Sequence, residues 1–129
     1  MRLELLESVR ALADPVYQQQ VWINHNMPRE GYYDSFDHAA HWILDDLWLD
    51  EHLQEAIGTV LKDEIEAEAM KAVVDVLIKL LDEVGKTAPD EAYFNSHYWI
   101  DVVSSARQAY AVMTNGQTPD GFFEELQEN

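Results

Sequence analysis

The chain has 129 residues, of which 25 are acidic and 8 basic, giving a formal charge of −17, and it contains no cysteine. A surface this negative repels phosphate backbones and anionic lipid, so direct binding to nucleic acid or membrane is disfavoured and a basic partner is favoured. The missing cysteine removes disulfides, thiolate metal sites and a cysteine nucleophile together, while 47% hydrophobic residues with four Trp and six Tyr argue against disorder.

The length suits one domain over residues 1–129, large enough to bury about two thirds of its unfolded surface. The opening MRLELLESVRALADP places Glu4 and Glu7 where a signal peptide needs an apolar run. No stretch approaches the roughly 18 apolar residues of a membrane span, so a soluble, cytoplasmic protein is expected.

Leu3, Leu6, Val9 or Arg10, and Ala13 recur at helical spacing and predict a first amphipathic helix. Asp14 caps a second, which starts at Pro15 and runs to about Ile23. Between Asn24 and Tyr33 the pattern stops at NHNMPREGYY, whose Pro28 and Gly31 supply turn chemistry. Asp34 or Ser35 then caps a third helix to about Leu47, with Phe36, Ala40, Ile43, Leu44 and Leu47 facing the core. On its opposite side Asp34, His38, His41 and Asp45 share a polar strip flanked by Trp42 and Trp48. Asp50 caps a short helix to Ile57, ended by Gly58.

The longest helical pattern follows, from Leu61 to Val84, without Gly or Pro and ending at Gly85. Its apolar residues, among them Met70, Val73, Val74, Leu77, Leu80 and Leu81, sweep an arc of roughly 200°. Such an arc needs several partners, which makes this the expected centre of the fold. Its first turns, with Lys62, Asp63, Glu64, Glu66 and Glu68, read as charged all round. A short helix at DEAYF, a long one with the stripe Trp99, Val102 or Val103, Ala106, Tyr110 and Met113, and a final turn with Phe122, Phe123 and Leu126, which either docks on the bundle or frays, complete the chain. The expected fold is an all-α, single-domain helical bundle: four long helices plus two or three short ones around the helix at 61–84.

Candidate chemistry concentrates in one zone. From Asp34 to Glu68 there are eleven acids and one lysine, a net of −10, whereas residues 1–33 are nearly balanced. Large aromatic anchors inside a charged rim are an interface composition, and charge speeds encounter with a basic partner. The candidate partner-binding residues are therefore Asp34, Asp37, Trp42, Asp45, Asp46, Trp48, Asp50, Glu51, Asp63, Glu64, Glu66 and Glu68. An alternative uses His38, His41 and Asp45, whose spacing along one helical face suits a divalent metal. No HExxH or ExxH element reinforces it, no GxSxG elbow or phosphate loop is present, and neither cofactor nor catalytic residues are expected.

The pieces ALADPVYQQQVWINHNMPREGYYDSFDHAAHWILDD, AIGTVLKDEIEA and YWIDVVSSARQAYAVM resemble a family of small acidic bacterial proteins of uncharacterised function, over nearly the whole chain. In size and charge the chain is also similar to the immunity proteins encoded beside contact-dependent toxins. The expectation is an immunity-type inhibitor that neutralises a basic toxin, for instance a nuclease, by covering its active site with an acidic face. The alternatives are a metal-binding or enzymatic helical protein using His38, His41 and Asp45, and a regulatory adaptor domain.

Overall fold

The computed structural model describes residues 2–46 and 52–128, without the side chain of Asp46. The fold is all-α, and no strand occurs among the described residues. Helix α1 spans Arg2–Ala13. Helix α2 starts at Pro15–Tyr17 and widens into π-helical turns over Gln18–Ile23. Helix α3, Phe36–His41, widens likewise over Trp42–Asp46. A single 3₁₀ turn at Gln54–Ala56 precedes α4, Glu64–Val84. Helices α5 (Asp90–Phe94), α6 (Trp99–Met113) and α7 (Phe122–Glu128) follow. No helix among the described residues is long and apolar enough to cross a membrane.

Two of the expected N-caps are in place, while that at Asp50 lies outside the described residues. Asp14 accepts from the amides of Val16 and Tyr17, and Ser35 accepts from His38 N. At the other end of α4, Gly85 takes φ +105°, donates its amide to Leu81 O and accepts the Tyr93 hydroxyl at 2.6 Å. A side chain at that φ would be strained, which is why glycine ends the helix there.

Helix α4 buries Ala67, Met70, Val73, Val74, Val76, Leu77 and Leu80, the heart of the expected arc. The role of hub is nevertheless shared, because α6 is the helix that packs closely along both α1 and α4. Small residues allow this: Ala106 and Ala109 on α6 are fully buried and let neighbouring backbones approach. At the far end of α2, Trp22 is 1% exposed, its ring enclosed by Tyr17, Phe36, Phe94 and Trp99. The C-terminal turn docks, with Phe122, Phe123 and Leu126 buried. Arg10 holds it, donating to Pro119 O at 2.7 Å and Asp120 O at 2.9 Å and pairing with Glu125.

The start of α4 departs from the sequence reading. The helix begins at Glu64, because Asp63 accepts from Glu66 N and Glu66 reaches back to Lys62 N at 2.7 Å. This resembles a capping box, except that Glu66 takes the amide of the residue before the cap and not that of Asp63 itself. Glu66 is 2% exposed and receives both guanidinium nitrogens of Arg2, at 2.8 and 2.9 Å, while Ile65 faces outward instead. The Arg2 hydrogen bonds hold the Glu66 carboxyl below its ordinary value. A depressed carboxylate stabilises the fold above its unfolded value, near 4.3, and that contribution disappears as pH falls through the folded value. Glu66→Gln should therefore cost about 1–3 kcal/mol at pH 7, with the difference shrinking towards zero in acid. Urea titrations of both proteins at pH 7 and pH 3.5 test this; an equal loss at the two pH values would refute it.

Candidate functional site

The expected polar strip on α3 is divided between two clefts. Starting after Asp34 and with its apolar residues Phe36, Ala39, Ala40, Ile43 and Leu44 buried, α3 lies edge-on at the surface and presents a polar side to each flank. Asp34, His38 and Trp42 line the flank towards α1, and Asp37, His41 and Asp45 line the flank towards α4.

The flank towards α1 is a cleft of about 240 Å³, lined also by Glu4, Glu7 and Ser8 of α1, by Tyr17, Tyr32 and Tyr33, and by Phe122. Asp34 is its internal anchor. One carboxylate oxygen accepts the Tyr17 hydroxyl at 2.6 Å and the Trp22 indole N–H at 2.9 Å, and the other accepts His38 Nδ1–H at 2.9 Å. Because Tyr17 spends its proton on Asp34, the 2.6 Å contact between the two tyrosine hydroxyls must be donated by Tyr32. Burial, and then the Asp34 charge, hold the Tyr17 phenol far above its ordinary value, so it stays a donor. Burial together with the neighbouring Glu4 carboxylate raises Glu7. In the Trp42 side chain, Nε1 is shut off from solvent and has no acceptor among the described residues.

The flank towards α4 is a groove of about 280 Å³. Ala40, Leu44, Ile78 and Leu81 make its apolar floor; Asp37, His41, Asp45, Asp82 and Lys86 make its rim. The His41 ring bridges two of the acids, with Nε2 3.3 Å from Asp37 and Nδ1 paired with Asp45.

A family model described as a domain of unknown function (DUF7945) matches residues 1–120. The chain belongs to this family. Neither curated proteins nor solved structures offer a match.

Within this DUF7945 domain the candidate residues separate clearly. Asp37 and Asp45 are exposed and share the groove, and Glu64 and Glu68 are exposed at the start of α4. Glu64 accepts from Gln54 Nε2 at 2.9 Å. Asp34 and Glu66, expected on a partner face, are buried and committed to internal donors, and Asp63 is spent as a cap. Trp42 is half-buried in the opposite cleft. Trp48, Asp50, Glu51 and the Asp46 side chain lie outside the described residues. His38, His41 and Asp45 do not converge: His38 pairs with Asp34, whereas His41 bridges Asp37 and Asp45. Among the described residues, no group of three or more His, Asp or Glu could hold a metal ion.

Asp82, Ile78 and Leu81 join the groove, and Glu7, Tyr17 and Tyr32 the cleft, from elements remote in sequence. Spacing along one helix carries no signal for these pairings. The exception is the N-cap of α4, legible as Asp63 followed three residues later by Glu66, whose amide it accepts.

Proposed function

We propose that this protein is a binding protein for a basic protein partner, and specifically an immunity-type inhibitor that neutralises a basic toxin. The observation that carries this reading is the groove between α3 and α4, where three exposed aspartates, Asp37, Asp45 and Asp82, surround a floor of Ala40, Leu44, Ile78 and Leu81. A lysine or arginine side chain has matching chemistry, an apolar stem for the floor and a cationic head for the carboxylates. The overall charge of −17 extends the attraction beyond the groove and accelerates encounter with a cationic surface. Where the partner is a nuclease, the same carboxylates occupy the surface that otherwise holds phosphates.

The test is co-purification with the product of the neighbouring gene, followed by calorimetry at increasing salt. Complex formation should weaken steadily with salt, and Asp37→Lys/Asp45→Lys/Asp82→Lys should weaken it by about a hundredfold or more, as several interfacial charge pairs become repulsive. The same substitutions should leave the circular-dichroism spectrum unchanged, since all three side chains are exposed. A neighbouring product that binds with no salt dependence, or that binds the triple variant equally well, would overturn the proposal.

A further inference from the structure

The cleft between α1 and α3 has a chemistry distinct from that of the groove. Its walls are aromatic, from Tyr32, Tyr33 and Trp42, and several of its polar groups are acceptors, beside the hydroxyls of Ser8 and Tyr33. The direction of the internal hydrogen bonds fixes this. Tyr32 gives its proton to Tyr17 and Tyr17 gives its own to Asp34, so the Tyr32 oxygen keeps its lone pairs for another donor. His38 is turned inward, its Nδ1 donating to Asp34. Glu7 adds a carboxylate with no hydrogen-bond donor among the described residues, and Glu4 lies alongside. Against these acceptors stands one unusual donor, the Trp42 indole N–H, enclosed and without an acceptor among the described residues. Leaving such a group unpaired is costly, and a ligand oxygen would satisfy it.

We propose that this cleft binds a small organic ammonium ion that also carries a carbonyl oxygen. The ammonium group donates to Glu7 and the Tyr32 oxygen, with its alkyl chain against the aromatic walls. Aromatic faces favour a cation over a neutral chain of equal size, through the quadrupole of the ring. The carbonyl accepts from Trp42 Nε1 after a small adjustment of the indole. A volume of about 240 Å³ suits a ligand of amino-acid size. This site does not depend on the groove, since no residue lines both.

The Trp42 indole resonance reports directly on the site in ¹⁵N-labelled protein and is identified by its loss in Trp42→Phe. Three probes separate the terms: Nα-acetyl-lysine methylamide, butylammonium, and the neutral Nα-acetyl-norleucine methylamide. The lysine derivative should give a saturable shift at Trp42, butylammonium should bind more weakly, and the neutral probe should leave the resonance in place. Glu7→Gln should weaken the lysine derivative about tenfold, the scale of one charge-assisted hydrogen bond, whereas the triple groove variant should bind it normally. A flanked tripeptide, acetyl-Gly-Lys-Gly-amide, separates the sources: equal binding assigns the ligand to a chain-borne lysine, exclusion to a free amine, and both require the cleft. No saturable shift, an equal response to the neutral probe, or an unchanged affinity in Glu7→Gln would overturn the proposal. Loss of toxin-type binding with this response intact would overturn only the groove reading.

Discussion

Leu77→Asp should abolish the cooperative thermal transition. Leu77 is 0% exposed in the middle of α4, among Met70, Val73, Val74 and Leu80. Its removal from the core forfeits about 2–3 kcal/mol of apolar burial. The larger cost comes from the carboxylate, which has no basic partner in that interior and either stays charged at several kcal/mol or takes up a proton it would not hold in water. Together these consume most of the 5–15 kcal/mol that holds a domain of this size. The far-ultraviolet circular-dichroism melt at pH 7 should show no transition, with residual helix but no tertiary near-ultraviolet signal. A native-like melt for the variant would refute the assignment of α4 to the core. Leu77→Ala, which introduces a cavity without a charge, should retain a transition lowered by about 2–5 kcal/mol.

Asp34→Ala should cost about 2–6 kcal/mol, at about 1–3 kcal/mol for each of two buried donors left without an acceptor. The reason is arithmetical in donors: Tyr17 hydroxyl and Trp22 indole N–H both end on one Asp34 oxygen, and both rings are fully enclosed. Alanine leaves these two donors buried and unpaired. Asp34→Asn discriminates the cause, because its amide oxygen still accepts from both rings while the amide nitrogen faces His38. The Asn variant should lose no more than about 1–2 kcal/mol, so that the gap between the two variants measures hydrogen-bond acceptance. Urea unfolding of the three proteins provides the values. Equal losses for Ala and Asn would show that charge, not acceptance, is what the site requires.

These two residues mark what a single chain of letters conveys about this fold. Leu77 sits inside an uninterrupted 3.6-residue pattern, and the core of α4 and the stripe of α6 are readable from periodicity, whereas nothing in the pattern decides whether the turn of Phe122, Phe123 and Leu126 docks or frays. Asp34 looked like an exposed helix start in an acidic zone. Its burial depends on Tyr17 and Trp22 arriving from α2, and on the Asn24 to Tyr33 turn folding Tyr32 back against Tyr17. In sequence Glu66 stands among charges all round a helix, and its pairing with Arg2 crosses 64 residues. Both departures have one physical origin: an acid is polar by itself, and whether water or protein satisfies it is decided by tertiary neighbours. The strip on α3 was correctly composed but not correctly grouped, since the faces it presents belong to two different helical partners, α1 and α4.

Of the four arginines, Arg2, Arg10 and Arg107 tie distant segments together, through Glu66, through the turn before α7 with Glu125, and through Ala13 O with Asp120. These three arginines thus serve as internal cross-links, and the acids they leave unpaired far outnumber the remaining cations. The folded molecule consequently lives under electrostatic pressure of its own making, which a counter-ion atmosphere relieves within a screening length of about 8 Å at physiological ionic strength. A cationic macromolecule seated on the groove would do the work of that atmosphere permanently, so that its docking and the tightening of the bundle become two sides of one equilibrium.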